Sequence, residues 1–234
     1  MMQPQAIITD IEGTTSAISF VKDTLFPYAV RNLPAFVREH RETRDVMRQL
    51  RSMSDYTGIP LTDTNALILQ LLQWVKEDKK ITELKALQGM VWEKGYQQGI
   101  YQAHIYPDVP AKLQEWFDLG INLYVYSSGS EKAQRLFFRY SEFGDLRLLF
   151  AGYFDTTFGP KQDKASYLNI AEAIALPPQS LLFLSDTEAE LDAARAAGYH
   201  TTWVIRPEDS PLKPDKVKSS HPIARDFSEI IIDL

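Results

Sequence analysis

Asp10-Ile11-Glu12-Gly13-Thr14-Thr15 follows the short apolar run Ala6-Ile7-Ile8-Thr9. Asp10 and Glu12 point the same way if the extended conformation continues through Glu12, so two carboxylates would then share one site. An aspartate in such a place can attack phosphorus to give an aspartyl-phosphate, and a second carboxylic acid beside it can shuttle a proton to and from the leaving oxygen. Gly13 lets the chain turn sharply and approach a ligand closely. The same residues also suit a plain strand end, with Thr14 or Thr15 capping a following helix. Which reading holds depends on what the downstream segments bring to this edge.

Three later segments end in the same manner. Tyr126-Ser127-Ser128-Gly129-Ser130 closes one apolar run, Gly159-Pro160-Lys161 follows another, and Ser185-Asp186 ends Leu181-Leu182-Phe183-Leu184. Taken singly, the serines cap helices, Lys161 is a surface lysine and Asp186 caps the helix that begins at Thr187 or Glu188. Taken together they supply the parts of phosphoryl transfer. Asp10 is then the nucleophile and a metal ligand, and Asp186 a second ligand. Ser127, with the backbone N–H groups that follow it, holds phosphate oxygens, and Lys161 neutralises the phosphate as a point charge. Two unit charges roughly 4 Å apart at an effective dielectric near 20 repel by about 4 kcal/mol. Asp10, Asp186 and a phosphate dianion therefore do not crowd together on Lys161 alone. A divalent cation resolves the repulsion, and an all-oxygen donor set with a phosphate partner favours Mg²⁺, one ion per subunit.

To position these groups the chain needs a parallel sheet whose carboxyl edge collects them. Residues 1–19 and 105–234 alternate strand-like and helix-like patterns, which predicts an α/β, Rossmann-like, mostly parallel sheet with helices on both faces. The strands expected are Ala6–Thr9, Ile121–Tyr126, Tyr153–Thr156, Leu181–Leu184 and Thr201–Ile205, with helices over 111–119, from Ser130 through Arg139, over 164–175 and from Glu188 to Ala197. Residues 20–104 lose the strand-like runs and become charged and helically periodic, an inserted α-helical cap. Within it the pattern predicts a helix from Pro34 to Met53, a second carrying Leu67, Leu71, Trp74 and Val75 and capped by Thr62, Asp63 or Thr64, and a third marked by Leu84, Leu87, Val91 and Trp92. Past Pro207 the tail is irregular until Phe227, Ile230 and Ile231, which dock on the core.

Composition narrows the partners. The formal charge of −6 over 234 residues leaves no excess of Lys and Arg to neutralise nucleic acid or an anionic membrane. With no cysteine there are no disulfides, thiolate zinc sites or thiol nucleophiles. His40, His104, His200 and His221 are too scattered for a zinc site. The opening Met1-Met2-Gln3-Pro4-Gln5 lacks the basic head and apolar stretch of a secretion signal, and no run of about 18 apolar residues occurs, so the expected location is the cytoplasm.

With these residues assembled, the chain resembles the haloacid dehalogenase-like hydrolase superfamily, whose four motifs match Asp10-Ile11-Glu12-Gly13-Thr14, Ser127, Lys161 and Asp186 in order. Superfamily phosphatases usually carry aspartate two positions after the nucleophile, where Glu12 stands here. Glu190 stands where a further aspartate is common, and is left outside the predicted site as a group behind it. The departure at Glu12 narrows the match. The segments Asp10–Thr15, Ile18–Asp23 and Leu25–Ala29 are similar to the enolase-phosphatases of methionine salvage, the acireductone synthases. So are Tyr126–Ser130, Gly152–Thr156 and Phe183–Asp186. That resemblance implies a Mg²⁺-dependent monomer acting on a small phosphorylated diketone, 2,3-diketo-5-methylthiopentyl 1-phosphate, which is enolised and then dephosphorylated to 1,2-dihydroxy-3-keto-5-methylthiopentene. It implies Asp10, Glu12 and Asp186 as metal positions, with Glu12 contributing by side chain or backbone carbonyl, and Ser127, Ser128 and Lys161 as substrate-binding positions. Asp10, Glu12 and Lys161 are the expected catalytic residues, with the enolisation base either Glu12 or a residue of the helical insert.

Three rivals stand beside this reading. A capped Mg²⁺-dependent phosphatase of another small ester would omit the enolisation, and Glu12 with the matches over Phe20–Ala29 argues against it. A haloacid dehalogenase needs no metal, whereas Asp186 completes a metal pair. An aspartate-phosphoacceptor signalling module uses similar groups but would not carry an insert as long as 20–104.

Overall fold

The computed structural model describes residues 4–77, 79–212 and 214–232. The chain divides into two compact units, Met1–Phe20 with Gln102–Leu234 and Val21–Tyr101.

The first unit is built on six parallel strands, β1 (Ala6–Thr9), β2 (Asn122–Tyr126), β3 (Phe150–Phe154), β4 (Leu181–Ser185), β5 (His200–Val204) and β6 (Ile223–Ala224), in the order β3-β2-β1-β4-β5-β6. Its helices are α5 (Asp108–Asp118), α6 (Glu131–Arg139), α7 (Lys164–Ile174) and α8 (Glu188–Ala196), numbered after the four of the second unit. Successive strand residues face opposite sides of a sheet, and here both sides are covered. Ala6, Ile8, Tyr126, Leu181 and Phe183 pack with Tyr167 and Ile170 of α7 and Leu191 and Ala194 of α8. The alternate residues Ile7, Leu123, Val125, Leu182 and Leu184 are equally buried, on the face that also buries Val109, Leu113 and Trp116 of α5. This is why the strands read as continuous apolar runs rather than alternating ones.

The order of the strands decides where a ligand can sit. From β1 the chain proceeds outward through β2 and β3, then returns to place β4 on the other side of β1 and proceeds outward again. The connections reverse direction between β1 and β4, and at that point a crevice opens beyond the carboxyl ends of the strands. Register puts Thr9 opposite Leu184 and Val125, so Asp10, Ser127 and Asp186 emerge at that edge together.

The second unit consists of α1 (Phe26–His40), α2 (Arg44–Thr57), α3 (Thr64–Lys76) and α4 (Thr82–Gln97), preceded by a π-helical turn at Phe20–Leu25. Leu33, Val37, Leu50, Met53, Leu67, Leu71, Leu87 and Val91 form its core. Asp63 supplies the α3 cap by accepting from the Ala66 N–H at 3.0 Å. Among the described residues no helix is long and apolar enough to cross a membrane.

Several elements differ from the sequence pattern. The helix expected from Pro34 to Met53 is two helices, broken where the Thr43 N–H and hydroxyl both close onto the His40 carbonyl, at 2.9 and 2.7 Å. Pro34 lies inside α1, where it forgoes one backbone hydrogen bond while its neighbours Leu33 and Val37 stay buried. The third strand begins at Phe150 and stops at Phe154, because Asp155 turns the chain by accepting from the Thr157 N–H at 2.9 Å. A sixth strand, Ile223–Ala224, lies in the stretch expected to be irregular, and two residues are too few to print a period. In the tail Phe227 and Ile230 dock as expected, but Ile231 is 83% exposed.

The core makes one direct demand. Phe183 is fully buried in the central strand β4, against the rings of Tyr126 and Tyr167. Replacing it by alanine leaves a cavity, and Phe183→Ala is expected to destabilise the protein by about 3–5 kcal/mol. Urea unfolding followed by tryptophan fluorescence measures this, and a loss below about 1 kcal/mol would contradict the packing described.

Candidate active site

The site is assembled around one ammonium. Lys161 Nζ lies 2.7 Å from Asp10 Oδ1 and 2.7 Å from Glu190 Oε2. It also lies 5.9 and 6.0 Å from the ring centres of Tyr126 and Phe183, which form an aromatic floor. Burial by itself would lower the lysine pKa, but Asp10 and Glu190 outweigh it and hold the group well above its ordinary value. Lys161 is therefore a fixed positive charge at any physiological pH.

Each side chain of the cluster is held by its own device. Asp10 leaves β1 with its N–H on the Leu184 carbonyl at 2.9 Å, and its Oδ1 accepts the Ile11 N–H at 2.7 Å. Beyond it the chain folds tightly, with the N–H groups of Thr14, Thr15 and Ser16 all directed to the Ile11 carbonyl at 3.2, 3.0 and 2.9 Å. Gly13 makes this turn possible with φ of +73°, and a Cβ there would stand 2.2 Å from Asp186 Oδ2. Glycine at position 13 is thus required twice, by its backbone angle and by the Asp186 carboxylate against it.

Lys161 is delivered by a loop whose carbonyls are taken one after another by side-chain hydroxyls. Tyr126 donates to Gly159 O at 2.9 Å, Ser166 to Pro160 O at 2.7 Å and Tyr167 to Lys161 O at 2.7 Å. Gly159 has φ of +124°, and a Cβ there would meet Ser166 Oγ at 2.2 Å. On the opposite side, Ser185 Oγ donates to Glu190 Oε2 at 2.9 Å and accepts the Thr187 N–H at 3.1 Å. Ser185, rather than Asp186, thus stabilises the start of α8. The Asp186 carboxylate instead accepts the Thr187 hydroxyl at 3.0 Å and stays turned toward Gly13.

Ser127 follows β2 and is buried, its Oγ accepting the Gly129 N–H at 3.2 Å, while Ser128 is exposed in the loop one residue further. Buried Gln134 holds this loop against the end of β3 by donating to the carbonyls of Gly129 and Phe154, each at 2.8 Å. Neither Thr14 nor Thr15 caps a helix. The Thr15 hydroxyl turns back to the carbonyls of Asp10 and Ile11, and both threonines are buried in the turn.

The structure thus brings Asp10, Lys161 and Asp186 to one place, with Glu12 within range of their charges. It adds Glu190, which the sequence reading placed behind the site and which touches Lys161 directly. Its position four residues after Asp186, one helical turn into α8, was the available signal. Negative charge is in excess. Burial, then the charge of Asp10, pushes Glu12 up to about 7, Asp186 up to about 6 and Glu190 up to about 6.

The donor set suits a hard divalent cation. Asp10, Glu12 and Asp186 offer only oxygens, and burial followed by the nearby Asp10 charge raises the pKa values of Glu12 and Asp186. Among the described residues no group of three or more acidic or histidine side chains is placed to hold a metal ion. An open site is the usual situation of Mg²⁺, which takes one or two carboxylates and completes its octahedron with water and phosphate oxygens.

The comparisons with known proteins agree with this geometry. A family model described as haloacid dehalogenase-like hydrolase matches residues 4–198. An enolase-phosphatase E1 of Pseudomonas aeruginosa is 52% identical over 99% of this chain and 100% of its own length. The chain belongs to the enolase-phosphatase E1 family of the haloacid dehalogenase-like hydrolases. Another relative of that name, from Alcanivorax borkumensis, is 49% identical over 96% of this chain and 97% of its own. Among solved structures, the UTR4 protein of Saccharomyces cerevisiae superposes with a TM-score of 0.82 at 34% identity, over 97% of this chain and 100% of that one.

The crowded carboxylates predict a pH dependence of stability. Glu12, Asp186 and Glu190 bind protons more tightly in the folded chain than at their ordinary values of 4.5, 3.8 and 4.5. Between those values and about 6–7 the folded state holds more protons than the unfolded one, so their contribution to stability is lost as pH rises through that window. In chelator, the melting temperature is expected to fall from about pH 5 to about pH 7.5, and Glu12→Gln to flatten the slope. Differential scanning calorimetry reads this, and an unchanged slope in Glu12→Gln would remove Glu12 from the cluster.

Proposed function

We propose that the chain catalyses both stages of an enolase-phosphatase reaction, converting 2,3-diketo-5-methylthiopentyl 1-phosphate to the acireductone 1,2-dihydroxy-3-keto-5-methylthiopentene. The observation that carries this reading is the Asp10 carboxylate held 2.7 Å from the buried Lys161 ammonium at the β1–β4 switch point. The full-length similarity to enolase-phosphatase E1 proteins supports the choice of substrate.

In the first stage Glu12 removes a proton from C1 of the diketone and returns it to the oxygen on C2, so that a C1–C2 double bond forms and the enol results. A partly buried carboxyl two residues after the nucleophile is suited to taking and giving a proton. In the second stage an Asp10 oxygen attacks phosphorus in line with the ester oxygen. The P–O bond to C1 breaks, the enediolate departs and takes a proton from water, and phosphorus remains on Asp10. A water molecule then attacks that phosphorus, its proton passing to Glu12 and on to the hydroxide left when the enediolate was protonated, and inorganic phosphate leaves with Asp10 and Glu12 restored.

Lys161 balances the phosphate charge, and Ser127 and Ser128 with the backbone that follows them hold its remaining oxygens. Mg²⁺ held by the side chains of Asp10 and Asp186 and the backbone carbonyl of Glu12 would polarise a ketone oxygen in the first stage and neutralise phosphoryl charge in the second. Glu190 and Ser185 keep Lys161 aimed at the nucleophile. We assign the helical unit as the inserted cap of the catalytic unit. We further assign the chain as a cytoplasmic monomer.

Purified protein mixed with a 2,3-diketo 1-phosphate and Mg²⁺, without oxygen, is expected to give enediol absorbance and free phosphate together, and chelator to abolish both. Phosphate without the enediol chromophore would reduce the activity to simple ester hydrolysis. Asp10→Asn is expected to lower phosphate release at least about a thousandfold in a folded protein. Lys161→Ala is expected to lower kcat/KM by about 10²–10³. Near-normal turnover in either variant would refute the role given to that residue.

A further inference from the structure

The turn that carries the nucleophile is held from outside by a buried arginine with no part in the chemistry above. Arg206, two residues past β5, is 3% exposed. Its Nε and Nη2 both donate to the Thr14 carbonyl, at 3.0 and 2.7 Å. Its Nη1 donates to both carboxylate oxygens of Asp108, each at 2.8 Å. The guanidinium lies 4.0 Å from the ring centre of Tyr106 and 5.3 Å from that of Phe227. Asp108 Oδ2 also accepts the Phe227 N–H at 2.8 Å, so one carboxylate ties the arginine to the C-terminal tail. The Tyr106 N–H donates to the Thr15 carbonyl at 3.0 Å, and the Tyr106 hydroxyl donates to Asp209, three residues after the arginine.

A buried guanidinium whose three nitrogens all reach acceptors does not by itself indicate stability, because desolvation offsets much of the attraction. Its placement indicates precision. The carbonyl it grips belongs to the residue after Gly13, and Gly13 stands in contact with the Asp186 carboxylate. Displacement of the Thr14–Thr15 peptide shifts the Asp10–Gly13 turn that leads into it relative to Asp186, and the gap between those two strand ends is where the reaction is placed. A planar fork with donors on two edges fixes a carbonyl and a carboxylate at once, which a lysine point charge does not do.

We propose that Arg206, braced by Asp108, is a positioning residue that sets the nucleophile turn against Asp186 and thereby governs kcat rather than substrate affinity. The proposal rests on the phosphatase reading above for its kinetic consequence, but not for its structural one.

The test compares Arg206→Met, Arg206→Lys and Asp108→Asn with the unaltered protein in steady-state phosphate release, thermal melting and hydrogen exchange of the segment 10–17. Arg206→Met is expected to lower kcat about 30- to 100-fold with KM within about twofold, the cost of a reacting group displaced by a fraction of an ångström to an ångström. Arg206→Lys restores part of that kcat, and Asp108→Asn falls between it and the unaltered protein. Exchange accelerates over 10–17 ahead of the rest of the sheet. Should Arg206→Met fail to fold, the other two variants carry the comparison. Unchanged kcat in folded Arg206→Lys and Asp108→Asn overturns the proposal. So does a loss that merely tracks the unfolded fraction, with exchange accelerated everywhere. If the unaltered protein releases no phosphate, the functional reading fails, while exchange over 10–17 still decides whether the clamp exists.

Discussion

A single buried ammonium sets the terms for the rest of the catalytic unit. Lys161 sits between Asp10 and Glu190 at 2.7 Å from each, in surroundings that would discharge an unpaired lysine. Breaking such a buried pair by removing one member costs about 3–5 kcal/mol, because the remaining charge is stranded. The pair adds little to folding when intact. Lys161 stands among four acidic side chains, and burial followed by the Asp10 charge makes Glu12, Asp186 and Glu190 hold their protons more tightly. Acidic groups outnumber the ammonium in this cluster.

Keeping the ammonium in place explains features that otherwise look unrelated. The loop before α7 has to run beside the sheet edge without burying unpaired carbonyls, and Tyr126, Ser166 and Tyr167 each satisfy one of three in succession. Gly159 is needed because Ser166 occupies the space a side chain would take. Ser185 fixes Glu190 from below while opening α8. The nucleophile turn is built in the same manner, with backbone groups converging on the Ile11 carbonyl and Gly13 against Asp186. Groups held by paired neighbours pay little reorganisation when charge develops, which is the main source of electrostatic catalysis.

The reversal of strand order makes this assembly possible. Because β1 is flanked by β2 and β4, Asp10 has Ser127 on one side and Asp186 on the other, and the connections from β3 and β4 place Lys161 and Glu190 over the gap. The segment that re-enters after the helical unit also helps to frame the turn. His104 Nδ1 accepts the Ala17 N–H at 3.1 Å, and the Tyr106 N–H reaches Thr15 O at 3.0 Å. The ends of the segment 4–20 and the start of the segment from 102 are thereby joined within the sheet unit itself.

The local pattern of residues by itself determined the α/β class, the strands β1, β2, β4 and β5 and the polar segments that follow the apolar runs, since apolar runs ended by polar residues reflect short-range physics. By contrast, β3 starts three residues earlier than its pattern shows. The helix boundaries were less legible. Pro34 reads as a start, yet tertiary burial of Leu33 and Val37 carries α1 through it. The two-residue strand β6 is too short to show a period. Only the tertiary structure decided that Glu190 touches Lys161, that Ser185 rather than Asp186 opens α8, that Thr14 and Thr15 serve the turn instead of capping a helix, and that Arg206 grips Thr14 from 192 residues away. Each of these is a contact between side chains or turns whose partners lie on different elements. Sequence spacing specifies which residues share an element, whereas the order in which strands pack specifies which elements share a charge.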